Sequence, residues 1–311
     1  MFRICLYILV FIGAVYAVFA VGKYDGNNDN FRPKISSDTA IAAEAAAKIG
    51  GDFVLIQPFI FNKLNTAATA DYNIVRITDS DIFLYNPFLS DNNLYDILTN
   101  KNKEHFKSIF GALHNDDLIK YSNDNNTYNP YFWLNVGLWI KSVSHIADIM
   151  VQTTPINEQI YRINEEHYLI KLLELDKYIK QRVSEIPEEN RFIVTSRDSF
   201  RYFAEGYGFR TASLFNDNNK ISYDDILRLS DYIIENNIKA VFNEASVPSR
   251  YLDVLQSTLE QVGYRIEIKG TLYSDILNGS TNNPKDYVNM MIHNIDTVVN
   301  ALTNDTHNKD D

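Results

Sequence analysis

The chain alternates between short apolar runs and longer stretches in which apolar residues recur every three or four positions. Thr39 to Ile49 is alanine-rich, follows Ser36-Ser37-Asp38 and stops at Gly50-Gly51, so a helix is predicted there. Strands are predicted over Phe53 to Phe59 and Asp81 to Tyr85, and helix over Ala70 to Ile77, Leu94 to Leu113 and Val136 to Met150. From Thr154-Pro155 onward, Tyr161, Tyr168, Leu172, Leu175, Ile179, Val183 and Ile186 recur mostly at intervals of three and four. With Thr154 as cap and Pro155 in the first turn, this predicts one amphipathic helix ending at Pro187, about thirty residues and about 45 Å long. The repeat is isolated between α/β units, which favours a rigid spacer over a coiled coil.

Beyond it, strands are predicted over Phe192 to Thr195, Ala240 to Asn243 and Arg265 to Thr271. Helices are predicted after Thr195 as far as the Gly206 to Gly208 turn, and over Ser222 to Asn236, Pro248 to Val262 and Pro284 to Leu302. Strands alternating with helices imply parallel sheets, hence an α/β fold of two lobes joined by the long helix. The expected division is 1–20 as a signal, 21–153 as the first lobe, 154–187 as the linking helix, 188–303 as the second lobe and 304–311 as an acidic tail. No repeat between the halves can be aligned.

The first twenty residues change the picture from a cytoplasmic chain to an exported one. Arg3 gives a positive start, Ile4 to Ile12 an apolar core, and Val15-x-Ala17 and Val18-x-Ala20 two small-residue cleavage sites. A retained anchor is the competing reading, since the apolar run of roughly 18 residues lies near the lower spanning limit. The single cysteine, Cys5, lies within this segment and is too early for lipid attachment. The mature chain then has no disulfide, thiolate zinc site or cysteine nucleophile. Export with cleavage places the product in the periplasm of a Gram-negative host.

A formal net charge of −11 gives no support to nucleic-acid binding. The sequence contains no Walker A loop, G-x-S-x-G elbow, H-E-x-x-H motif or Rossmann glycine fingerprint, so no enzymatic activity is expected. Its six histidines are scattered, without metal-binding spacing. In open α/β sheets, ligands bind beyond the carboxyl ends of strands. The candidate cleft is therefore lined by residues following Thr195, Asn243 and Thr271.

At those positions the sequence resembles the zinc/manganese solute-binding proteins of bacterial ABC importers. The matching segments are Ile193 to Phe200 with Tyr202-Phe203 and Tyr207-Gly208-Phe209, Val241 to Pro248, Leu272-Tyr273-Ser274-Asp275, and Tyr287 to Ala301 with His293-Asn294-Ile295-Asp296-Thr297. Asn129-Pro130-Tyr131-Phe132-Trp133-Leu134 is similar to that family's D-P-H-x-W-L motif, and the likeness runs in order from Thr39 to Leu302. The resemblance implies two α/β lobes on one long helix, a ligand cleft between them, capture of zinc, manganese or iron, and delivery to a membrane permease. A monomer is expected.

The family's ligand positions correspond here to Asn65, Tyr131, Arg197 and Asp275, with Glu244 a further candidate. Of the family's usual imidazole and carboxylate donors, Asp275 is retained. A guanidinium has no lone pair to give a metal. About 4 Å from a divalent ion it costs several kcal/mol even at an effective dielectric of ~20. Three readings of Arg197 follow: it pairs with Asp275 in the metal's space, it presents a positive group to an anion, or it faces solvent while Asp198 or Glu244 lines the cleft. At the level of the chain, two readings follow. One is a metal importer's binding component whose oxygen donors shift preference from zinc toward manganese or iron. The other is a divergent member that has lost metal and binds another solute or a protein, so that no cofactor is present.

Overall fold

A computed structural model of the chain describes residues 32–57, 77–89, 103–120, 128–215, 221–277 and 283–303. The first sheet contains β1 (Lys34–Ser37), β2 (Leu55–Ile56), β3 (Ile82–Tyr85) and β4 (Phe106–Ser108), in the order β2-β1-β3-β4 and parallel throughout. Around it lie α1 (Ala40–Gly50) and α2 (Val136–Thr153), followed by the long helix α3 (Glu158–Val183). The second sheet holds β5 (Phe192–Arg197), β6 (Arg210–Phe215), β7 (Ala240–Glu244) and β8 (Glu267–Leu272), again parallel and ordered β6-β5-β7-β8. Its helices are α4 (Arg201–Tyr207), α5 (Tyr223–Glu235), α6 (Arg250–Gln261) and α7 (Tyr287–Thr303). The two sheets thus share one winding, although the sequence halves do not align.

Local chemistry accounts for the element boundaries. Thr39 caps α1 through its hydroxyl, which accepts from Ala42 N at 3.1 Å, and Ile41, Ala42, Ala45, Ala46 and Ile49 form the buried face. In α3 the buried residues Tyr161, Glu165, Tyr168, Leu172, Leu175, Ile179 and Val183 follow the three-and-four spacing of an amphipathic helix. Strand β5 is buried from Phe192 to Ser196, as expected of a strand covered on both faces. Gly208 closes α4 at φ 75, in the left-handed region that favours glycine.

Several sequence expectations are corrected. Ser36-Ser37, read as a lead-in to the first helix, belongs to β1, because strands on both sides supply its ladder partners. The described part of the helix expected over 94–113 is a 3-10 turn at Lys103–His105 followed by β4, which pairs with β3 and so satisfies its backbone in a sheet. Thr154 makes no side-chain cap; Pro155–Asn157 forms a 3-10 turn before α3, which ends at Val183 instead of Pro187. The strand expected over Phe53 to Phe59 shortens to β2, since Gly51–Phe53 forms a 3-10 turn. Pro58, Phe59, Asn65, the leader, the acidic tail and most of the helix expected at 70–77 fall outside the described residues.

One apolar core runs through both halves. It joins Ile35, Leu84 and Trp139 from the first to Phe200, Phe242 and Tyr287 from the second, by way of the buried face of α3. Helix α3 packs on α1, α2 and α7, so it serves as a shared wall of the molecule. A smaller core lies on the other face of the second sheet, around Val194, Val241 and Leu255.

Candidate functional site

The order β6-β5-β7-β8 reverses direction between β5 and β7, and such a switch point opens a crevice at the strands' carboxyl ends. Arg197 ends β5 and Glu244 ends β7, while Ser274 and Asp275 follow β8. Tyr131 comes from the other side, in the segment leading into α2, where its backbone N–H donates to Asn129 Oδ1 at 3.0 Å.

Arg197 is the centre of the arrangement. Its Nη2 lies 3.6 Å from Glu244 Oε2 and 3.6 Å from Asp275 Oδ2. It donates to Ser246 Oγ at 2.7 Å and Ser274 Oγ at 3.2 Å, while Nε donates to Ser199 Oγ at 3.0 Å. The guanidinium carbon stands 5.0 Å from the centre of the Tyr131 ring, within cation–π range.

The two carboxylates differ in kind. Glu244 is buried and satisfied, accepting from Arg197 N at 2.7 Å and from Ser199 Oγ at 2.7 Å. Burial raises its proton affinity, and the guanidinium and these donors oppose that rise. Asp275 has a buried Oδ1 with no hydrogen-bond partner among the described residues. Two residues earlier, Tyr273 is clamped by Asn294 of α7, whose Nδ2 donates to Tyr273 O at 2.8 Å and whose Oδ1 accepts from Tyr273 N at 2.9 Å.

The structure therefore brings Tyr131, Arg197, Glu244 and Asp275 together, and Asn65 lies outside the described residues. Ser199, Ser246, Ser274 and Asn294 also belong to the site. The three loops that carry these serines were expected at the cleft from the strand ends before them, but nothing in the sequence marks the serines within those loops as partners of Arg197. Among the described residues, no group of three or more His, Cys, Asp or Glu side chains is placed to hold a metal.

Comparison with known proteins adds a family to this geometry. Residues 36–301 match the model of the zinc-uptake complex component A, periplasmic. The chain belongs to this family. The manganese-binding lipoprotein MntA of Bacillus subtilis is 28% identical over 284 residues, covering 89% of this chain and 92% of that protein. The zinc-binding protein TroA of Treponema pallidum is 26% identical over 308 residues, covering 96% and 98%. The solved structure of TroA superposes with a TM-score of 0.79 at 24% identity, covering 87% of this chain and 99% of that one, and shows the same fold. Members of the family are transport binding proteins, and the donor set of this chain departs from a plain metal site by the guanidinium at its centre.

Proposed function

We propose that this chain is the substrate-binding component of an ABC-type metal importer, capturing a divalent ion in the cleft and passing it to a membrane permease. The proposed donors are Asp275, Glu244, Tyr131 and Asn65. The reading rests above all on Asp275 Oδ1, a buried carboxylate oxygen without a hydrogen-bond partner among the described residues, at the crevice where this fold binds ligands. Such an oxygen is poorly placed unless a cation completes it. Among the described residues, two carboxylates face one guanidinium, an excess of one negative charge that favours a cation over an anion.

Relatives named for manganese and for zinc support a first-row divalent cargo. Oxygen donors turn the preference toward manganese or ferrous iron. The apolar run Ile4 to Ile12 and the small-residue sites at Ala17 and Ala20 support export by a cleavable signal into the periplasm, where the protein works as a monomer. The lobe boundaries near 154 and 187 belong to the same proposal.

The test is calorimetric titration of chelator-stripped protein with manganese, ferrous iron and zinc. Saturable binding is expected, with Asp275→Ala weakening it by more than ~10-fold. Absence of binding to all three ions would overturn the reading.

A further inference from the structure

The charged groups of the cleft are already engaged with one another. Nη2 of Arg197 stands at 3.6 Å from each carboxylate, beyond hydrogen-bonding distance, and donates instead to the hydroxyls of Ser246 and Ser274. The guanidinium thus partly offsets the charge of Glu244 and Asp275 through space while Nη2 donates to neutral acceptors. Neither ion pair has the short, bidentate geometry in which Arg–carboxylate contacts are strongest. The Arg197 side chain is 11% exposed, and its Ser246 contact lies at the solvent edge.

The scaffold beneath depends on the guanidinium only in part, through the Nε bond to Ser199 Oγ. Glu244 is held by Arg197's backbone N–H and by Ser199, and the backbone of Tyr273, two residues before Asp275, by Asn294.

We infer that Arg197 is a resident cation of the cleft, which holds the cargo's place and must be displaced for a divalent ion to bind. The inference rests on the capture reading above. A divalent ion and the guanidinium cannot share the position, because their repulsion is twice that of two unit charges at the same distance. Exchange favours the ion of higher charge, so a monovalent ion gains nothing over Arg197 and a divalent one does. Apparent affinity is then the intrinsic affinity multiplied by the fraction of molecules in which Arg197 is displaced. Arg197 is a specificity-determining residue that sets both affinity and the choice of charge.

The test is calorimetric titration of the chelator-stripped full chain with manganese chloride, comparing the unaltered protein with Arg197→Ala, Arg197→Gln and the double variant Ser246→Ala/Ser274→Ala. Arg197→Gln keeps the polar stem without charge, and the serine variant keeps the charge without its Nη2 anchors, so one of them reports if Arg197→Ala fails to fold. Manganese affinity is expected to rise at least ~10-fold in both Arg197 variants and by a smaller factor in the serine variant. Millimolar methylguanidinium is expected to compete with manganese in Arg197→Ala and not in the unaltered protein. Equal or weaker manganese binding in the Arg197 variants would overturn displacement while leaving capture intact. Failure of every protein to bind manganese, ferrous iron or zinc would overturn capture itself, and displacement with it.

Discussion

Glu44 is a largely covered acid outside the cleft, its side chain 13% exposed. It faces a cavity of about 370 Å³ between α1, α3 and α7 whose other charged and phenolic groups are Lys48, Tyr168, Lys171, Glu174, Tyr178 and Asp286. Tyr168 donates to its Oε2 at 2.7 Å, and Lys48 Nζ lies 3.8 Å from Oε1. Burial pushes the carboxyl from 4.5 to about 7 despite these partners. The folded state therefore holds this proton more tightly than the unfolded chain. Its stabilising effect is complete below pH 4.5, is lost as the pH climbs toward about 7, and changes no further above that. The shift corresponds to about 3 kcal/mol. Glu44→Gln is expected to remove this slope and to stabilise the protein at alkaline pH, read by urea unfolding at a series of pH values. Asp117 and Asp225, held below the usual carboxylate range by their hydrogen bonds, act in the opposite sense in acid, so the quantity to compare is the difference between the two proteins. An unchanged slope in the variant would rule out Glu44 as its source. Among single residues, the cleft members Tyr131, Arg197, Glu244 and Asp275 were legible through motif resemblance. Glu44 was not, because one acid in an alanine-rich helix looks like a solvated position until α3 and α7 cover it.

Elements were legible where their hydrophobic period was long. Helix α3 follows from its spacing, and its buried residues are those the period selects. Leu172 is fully buried at the middle of that face. Leu172→Ala is expected to cost about 2–5 kcal/mol, measured by chemical unfolding. A cost below ~1 kcal/mol would mean that the wall of α3 does not carry the shared core. Strands β1, β4 and β6 were missed for the converse reason. Lys34-Ile35-Ser36-Ser37 and Phe106-Lys107-Ser108 are short and half polar, so neither alternation nor an apolar run marks them. Their strand character comes from parallel neighbours that are not adjacent in sequence, such as Phe83 opposite Phe106 and, for β6, Ile193 opposite Thr211.

For the whole molecule, what matters is how firmly the two sheets are joined near the cleft. Trp133 Nε1 donates to Ser274 O at 2.6 Å, and Trp133 O accepts from Tyr287 OH at 2.6 Å. Asn129 Nδ2 donates to Asp198 O at 2.6 Å, and Tyr202 OH accepts from Ile119 N at 2.9 Å. These contacts tie the segment carrying Tyr131 to those carrying Arg197 and Asp275, so the two sides of the cleft are held in register by buried polar groups. Together with the continuous apolar core, they make independent unfolding of either half costly, since each would expose the other's face of that core. Scanning calorimetry of the metal-free protein is therefore expected to show one cooperative transition, with calorimetric and van't Hoff enthalpies in agreement. Two resolved transitions would mean that the lobes unfold separately and that α3 is a tether. Manganese is expected to move that single transition upward as a unit, because an ion held between β5, β7 and the segment after β8 binds the folded state alone.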